Sequence, residues 1–535
     1  MSGVSSLILS QALTKAFTFA SNQLLVHNIS PEIFGVAAYL DFFNGTVLFF
    51  SREAERMAVQ RAQDPSKLRL RQKIVNFAYL PLLLGVPIAT GLYMLQRHSD
   101  LYVSGILPLP YHTATAALVA LLLFLELLSE PAYALNQYSL NFRLRSKIES
   151  AAVFAKCLVT LVGVVASKKA EYFDGLAVLA FASGQLAYSL TNFVAYSRLG
   201  GIQAPRRIEQ TTTPTKSPTA TKSTTTPTTP PTTKTTTTVS SFLDPAICQV
   251  WKSLFVQMIF KHLLTEGDTL LTSYLFSVAD QGIYSVISNY GSILARLLFQ
   301  PIEEFLRVSF TRAFASETKN VAASLTLMEN LLVFYFDLSL LIVLGGYTNG
   351  AFMLRLLLGR SEKWSASSVF DVFPQYVLYL PFMAFNGILE AFFSSASTQT
   401  EISRFSYFMS FLSVSVLALL YVLAKHFHFG LNGLIFANMV NMTLRAGYCL
   451  NYFFRFSTKH GVSVSRHDFR SRLGLPAITV ATAFVIQSQF FRQSSSWRQF
   501  IASVLFCLVC LGVMLIHERK NLLPQVKRVL GRKRD

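Results

Sequence analysis

The sequence predicts an all-α polytopic membrane protein of about fourteen transmembrane helices. Three observations carry that reading. Of its 535 residues, 52% are hydrophobic and only 14% are charged, whereas soluble domains carry about 25% charged residues. Polar surface is too scarce to coat a soluble protein of this size. Apolar blocks of about 20 residues recur from end to end, each long enough to cross a hydrocarbon core of roughly 30 Å. The basic residues, finally, fall in alternate loops.

Hydropathy places the spans near 9–29, 33–51, 74–96, 109–130, 149–167, 173–197, 246–266, 280–301, 321–345, 371–396, 405–424, 431–454, 474–491 and 499–516. The second and tenth are the weakest, because both are rich in polar residues. The N-terminus lacks a basic n-region and a cleavage site, so the first span is expected to stay as a signal anchor. With a cytosolic N-terminus, the cytosolic loops and tail carry 32 Lys and Arg and the opposite loops 9. That bias is the positive-inside pattern and predicts both termini in the cytosol. It also accounts for the formal net charge of +19, so no nucleic acid is expected as a partner.

The segment 201–240 breaks the pattern. It is rich in Thr and Pro ("TTTPTKSPTATKSTTTPTTPPTTKTTTTV") and cannot bury a core, so a disordered cytosolic linker is expected. It divides six spans from eight. The expected organisation is an N-terminal bundle over 1–200, the linker over 201–240 and a C-terminal bundle over 241–456. Two additional spans follow over 457–516, then a basic cytosolic tail over 517–535. The lumenal stretch "FMLRLLLGRSEKW" is read as either a connecting loop or a short interfacial helix. The five cysteines lie in or beside apolar segments and form no disulfide framework. Cys507 and Cys510 form a CxxC that reads as packing.

Ionisable groups inside spans cost several kcal/mol unless paired or hydrated, so each marks a candidate site. Lys15, Lys156, Lys252, Lys261, Arg296 and Arg445 remain once the loops are counted. Lys252 and Arg445 are placed to snorkel to an interface. In "GSILARLLFQPIEE" the residues Asn289, Ser292, Arg296, Gln300 and Glu303 share one helix face. That stripe either lines a hydrated cavity or bonds to another helix. Arg52 and Arg56 in "SREAER" are one turn apart, with Glu53 three before Arg56. Glu126 and Glu130 in "LELLSEP" are four apart, and so are Asn386 and Glu390 in "FNGILEAFF". Gln257, Lys261 and Thr265 align at four-residue steps, with Glu266 at the lumenal end. Lys261 is either a point charge for phosphate or one half of a salt bridge. No GxxxxGK[ST] loop, metal spacing or nucleophile–base arrangement is present. The chain is therefore not expected to be an enzyme or to carry a cofactor.

Several stretches resemble a known family. "SPEIFGVAAYLDF", "TVLFFSREAERMAVQR", "ELLSEP", "KHLLTEGD", "DQGIYSVISNYGSILARLLFQPIEE" and "FNGILEAF" together are similar to the Rft family, within the MOP flippase superfamily. The Thr-rich linker departs from that pattern, in a loop that tolerates insertion. The resemblance implies a MATE-like fold of two pseudo-symmetric bundles in the endoplasmic reticulum membrane. It implies translocation of the oligosaccharide Man5GlcNAc2, linked to dolichyl diphosphate, from the cytosolic to the lumenal leaflet for protein N-glycosylation. Arg52, Arg56, Lys261, Arg296, Gln300 and Asn386 are then the expected contacts for diphosphate and glycan. Glu53, Glu126, Glu130, Glu266, Glu303 and Glu390 would pair with them or gate the cavity. The dolichyl chain would stay in membrane lipid, and a monomer is expected.

Two other functions remain open from sequence. One is an accessory factor that binds or delivers the same lipid without moving it. The other is an ion-coupled multidrug antiporter, for which Asp41, Glu126 or Asp337 would supply the acidic ion site. The tail "GRKRD" resembles a cytosolic retrieval signal for the endoplasmic reticulum, although basic tails at anionic membranes are common.

Overall fold

A helix satisfies its own backbone polar groups, which makes it the natural spanning element in hydrocarbon. The computed structural model of this chain is built almost wholly from helices. It describes residues 14, 17–62, 64–139, 142–200, 203–211, 238–315, 321–359, 362–461 and 466–531. Among them, ten helices are long and apolar enough to cross a membrane. Thirteen of the fourteen expected spans fall largely on described helices, and of the first, 9–29, only residues 14 and 17–29 are described.

The order is α1 (17–28), α2 (Pro31–Val59), α3 (Lys67–Phe77), α4 (Leu80–Gln96), α5 (His112–Leu128), α6 (Glu130–Tyr138), α7 (Phe142–Ser167) and α8 (Phe173–Gly200). Two short strands follow, β1 (Ile208–Thr211) and β2 (Thr238–Ser241). Then come α9 (Pro245–Leu275), α10 (Val278–Leu294), α11 (Gln300–Ala315), α12 (Val321–Ile342), α13 (Thr348–Leu358), α14 (Glu362–Ser365) and α15 (Val369–Ala396). The last are α16 (Gln399–Lys425), α17 (Gly430–Lys459), α18 (Arg466–Phe490) and α19 (Trp497–Gly531). The helices divide between two compact units. The first comprises 1–22, 40–98 and 109–263, and the second 23–39, 99–108 and 264–535. This division is not the chain-order one expected from the linker, since α1, α2 and α9 each contribute to both units.

In the first unit, α7 and α8 pack through small residues. A Cβ on Gly163 would meet the Ala180 Cβ at 2.7 Å, and one on Gly184 would meet the Thr160 hydroxyl at 1.9 Å. Such residues let membrane helices approach closely. A separate apolar cluster joins Ala54, Ala58, Phe77, Ala134, Leu254 and Met258.

The expected linker proves ordered at its root. Strands β1 and β2 pair antiparallel, Ile208 opposite Ser241 and Thr211 opposite Thr238. Residues 212–237 lie outside those described. One residue on α3, Asn76, grips both sides of the root. Its amide donates to the carbonyls of Arg206 at 2.6 Å and Phe242 at 2.8 Å. It also accepts from the Arg206 N–H at 2.9 Å. Lys73 bridges Asp64 and Asp244, each at 2.7 Å.

The hydrogen bond from Lys73, helped by the Ser66 N–H, holds the Asp64 carboxyl below the usual aspartate range. A depressed carboxyl contributes stability at neutral pH that is lost as pH falls through its folded pKa. Hydrogen exchange at 203–206 and 242–244 should therefore stay slow near neutrality. It should quicken only below the ordinary aspartate range. Quickening already near pH 6 would contradict the clamp.

In the second unit, α15 is the central helix. From sequence it is one of the two weakest spans, yet 56% of its apolar window is buried, against 22% for α16. Hydropathy scores contact with lipid, and a helix enclosed by other helices is free to carry polar residues and prolines. Phe392 and Phe393 of α15 pack with Phe310, Met328, Tyr335 and Phe453 from the helices around it. The Trp364 indole N–H reaches the carbonyls of Val26 and Ile29 at the end of α1, at 2.9 and 3.1 Å. Those are the acceptors a helix end leaves unpaired.

Of the "FMLRLLLGRSEKW" stretch, residues 352–358 belong to α13, which continues α12 through a π-helical turn at Val343–Tyr347, and residues 362–364 belong to α14; residues 360 and 361 lie outside those described. Helices α18 and α19 are tied to this run at both ends. Arg472 makes a two-point contact with Glu518 at 3.0 and 2.8 Å and reaches Asn330 at 3.1 Å. At the other end Gln487 donates to Thr348 at 2.8 Å and Ser494 to Asn349 at 2.7 Å. Cys510 is a buried, free thiol beside Leu344 and Met514.

Candidate functional site

Polar residues of the first unit converge on an open cleft. Helical spacing supplies its parts. Arg52 and Arg56 stand one turn apart on α2. The break at Ser129 puts Glu126 at the end of α5 and Glu130 at the start of α6. Tyr188, Asn192 and Tyr196 follow each other along one face of α8, and Arg145 and Glu149 come from α7.

Arg52 Nη1 contacts Glu126 Oε1 at 2.8 Å and Glu130 Oε1 at 3.2 Å. Arg56 grips Glu130 with two bonds, Nε to Oε2 at 2.9 Å and Nη2 to Oε1 at 2.5 Å. Two parallel bonds of this kind are the strongest and most directional guanidinium contact. Ser189 donates to the other Glu126 oxygen at 2.9 Å. The Arg56 guanidinium lies 3.8 Å over the Tyr133 ring, and Arg145 lies 5.3 Å from the same ring. Tyr196 meets Tyr133 edge-on at 5.6 Å. Glu130 is only 1% exposed.

Three arginines (Arg52, Arg56, Arg145) thus face three glutamates (Glu126, Glu130, Glu149), and the lining is formally neutral. Its arginines are already neutralised by these carboxylates, so the lining offers a further anion no surplus positive charge. The polar seam continues along the same helices. Lys156 reaches Asp41 at 3.2 Å, and the Gln185 amide donates to the same carboxylate.

The second unit carries a smaller polar cluster. Arg445 Nη2 donates to Glu390 at 2.6 Å, and the Asn386 amide donates to the same oxygen at 3.2 Å. Two atoms there are buried without a partner among the described residues, Arg445 Nε and Asn386 Oδ1. Arg296 differs from the other arginines. It is exposed and donates to the Asn289 carbonyl at 2.6 Å. Among the described residues it has no carboxylate in ion-pair range. It lies in a π-helical turn, Ala295–Phe299, with Gln300 exposed beside it. π-Helical turns recur at functional sites. Glu303 pairs with Arg307 at 2.8 Å.

The Rft protein family matches residues 1–528. The chain belongs to the Rft protein family. It is 36% identical to the Man(5)GlcNAc(2)-PP-dolichol translocation protein RFT1 of Candida albicans, over 97% of this chain and 93% of that one. It is 36% identical to the protein of the same name in Saccharomyces cerevisiae, over 100% of this chain and 96% of the relative. To the Xenopus tropicalis protein of that name it is 27% identical, over 84% and 81%. Among solved structures it is similar to lipid II flippase MurJ in an inward closed conformation, with a TM-score of 0.64. That likeness covers 96% of this chain and 99% of the flippase at 13% identity. It shows that this chain shares the fold of that flippase.

In this Rft-family chain, four of the residues singled out from sequence lie together: Arg52 and Arg56 pair with Glu126 and Glu130. Asn386 and Glu390 meet too, joined by Arg445, which from sequence reads as a snorkelling residue. Glu53 makes no ion pair among the described residues. The side chains of Lys261 and Glu266 lie outside those described. Arg296 and Gln300 share an exposed stretch, as their four-residue spacing implies.

Sequence reasoning missed Tyr133, Arg145, Glu149, Tyr188, Asn192 and Tyr196. It also missed Glu55, fully buried beside the network, with neither oxygen hydrogen-bonded among the described residues. Its position three after Arg52 would have found it. Gln185, Ser189, Asn192 and Tyr196 recur at helical steps, a stripe that was legible on α8.

Proposed function

We propose that this Rft-family chain moves Man5GlcNAc2-PP-dolichol from the cytosolic to the lumenal leaflet of the endoplasmic reticulum membrane, for protein N-glycosylation. The observation that carries this reading is the 36% identity, over nearly the whole chain, to proteins named for translocating that lipid. The flippase-type fold supports it. The chain acts as a transporter without a catalytic step, as a monomer, with both termini in the cytosol.

Hydrated polar surface inside the helices accepts the head group while the dolichyl chain stays in lipid. Arg296 is the strongest of the expected diphosphate contacts, because no described carboxylate neutralises it. Gln300 adds a neutral donor one turn away, and Lys261 remains a further candidate. Asn386 and Arg445, with atoms buried and unpartnered, are placed to bond a polar ligand beside Glu390.

The test is reconstitution of the purified chain into liposomes containing the labelled oligosaccharide lipid. Accelerated loss of leaflet protection is the expected result. Binding without such loss would mark an accessory factor, and export of cationic drugs instead would mark an antiporter. Arg296→Glu removes a charge-assisted bond of about 1.5–3 kcal/mol. It should weaken lipid binding roughly ten- to hundredfold in a chain that still folds. Unchanged binding would dismiss Arg296.

A further inference from the structure

We infer that the cleft of the first unit is a sugar subsite, which takes the neutral, hydroxyl-rich part of the glycan lipid and not its diphosphate. The inference rests on the function proposed above for the identity of the glycan. It reverses the role that the family resemblance implies for Arg52 and Arg56.

Charge is the first argument. Glu130 holds both arginines, and Glu126 holds Arg52 a second time. A diphosphate would have to break those pairs and then sit against the released carboxylates, in a cleft with no surplus positive charge. A sugar hydroxyl makes no such demand. It donates and accepts at once, and the cleft offers both functions side by side in Arg and Glu, the Asn192 amide and the tyrosine hydroxyls.

Shape is the second argument. Tyr133, Tyr188 and Tyr196 line the cleft together. A tyrosine ring gives rigid apolar area with a polar tip and loses little entropy on binding. That combination suits a pyranose, whose C–H faces are apolar and whose rim is polar. Arg56 over the Tyr133 ring and Tyr196 against its edge fix the ring orientation. The ion pairs therefore serve as a frame that presents the polar groups already in place, which lowers the cost of binding. Arg296, with no described carboxylate to neutralise it, has the opposite character.

The test uses the full chain in lipid nanodiscs and three probes: the intact labelled Man5GlcNAc2-PP-dolichol, the free Man5GlcNAc2 oligosaccharide, and dolichyl diphosphate without sugar. Free oligosaccharide should compete with the intact lipid. Asn192→Leu and Tyr188→Phe should each weaken oligosaccharide binding roughly fivefold, the loss of one hydrogen bond of about 1 kcal/mol. Binding of dolichyl diphosphate should change far less. Equal losses for both probes would overturn the sugar subsite.

A second measurement needs no variant. In the native chain, free oligosaccharide should slow modification of Arg52, Arg56 and Arg145 by an arginine-selective dicarbonyl reagent. Inorganic diphosphate should not. Protection by diphosphate alone would return these arginines to phosphate binding. A chain that binds the intact lipid and dolichyl diphosphate equally well, but not the oligosaccharide, refutes only the subsite. A chain that binds none of the three refutes the proposed function itself.

Discussion

Glu130→Ala is expected to destabilise the chain by about 3–5 kcal/mol, because it strips two partly buried guanidinium groups of their shared carboxylate. Glu130 is the hub of the first unit. It is nearly inaccessible and takes both donors of Arg56 and one of Arg52. Glu130→Gln keeps an acceptor in place and should lose less. Replacing the pair together, Arg56→Leu with Glu130→Leu, should recover much of the loss. Isosteric apolar packing often matches a buried ion pair, whereas a lone buried charge is always costly. Thermal unfolding in detergent should rank Glu130→Ala below Glu130→Gln, with the double variant nearest the native chain. A native melting temperature for Glu130→Ala would show that the network contributes nothing to stability.

The second large effect is steric. A Cβ on Gly282 would sit 1.8 Å from the Pro31 carbonyl oxygen, and one on Gly35 would sit 2.1 Å from the Val278 oxygen. Both obstacles are backbone, so no side-chain rotation relieves them and the start of α2 must move off α10. Overpacking of a well-fitted core costs about 1–3 kcal/mol. Gly282→Val should reach the top of that range or pass it. The readout is the yield of monodisperse protein and its melting temperature. Gly45→Ala is the counterpart on α2, where nothing lies within 4 Å of the added carbon. It should be neutral or stabilising by up to about 1 kcal/mol, since alanine is the better helix former. Equal damage from both substitutions would mean that the close crossing is not the cause.

Both effects attach to stretches whose importance showed in the sequence for different reasons. "SREAER" and "ELLSEP" drew notice because charges at four-residue steps share a helix face, and their helices do bring those faces together. "SPEIFG" and "DQGIYS" drew notice only as family motifs. The reason for their glycines, a backbone-to-backbone crossing, exists only once two distant segments meet. The cleft was half legible. Charges in a span announce themselves, whereas the uncharged stripe on α8 shows only when its polar residues are counted at helical steps. Arg145 counts from sequence as loop charge, because α7 begins near Phe142 and not at 149. The polar character that weakened the second and tenth spans by hydropathy is what an enclosed helix is free to carry.

By itself, the sequence determined the class of molecule, its helical character and the family. Those follow from local quantities: how many apolar residues run together, which loops hold the positive charge, and which short motifs recur. Tertiary structure alone decided which charges cancel. The rotation of one helix against its neighbours is set by packing summed over its whole length. That rotation turned Arg52 and Arg56 onto Glu126 and Glu130, gave Arg445 to Glu390, and left Arg296 without a described counter-charge.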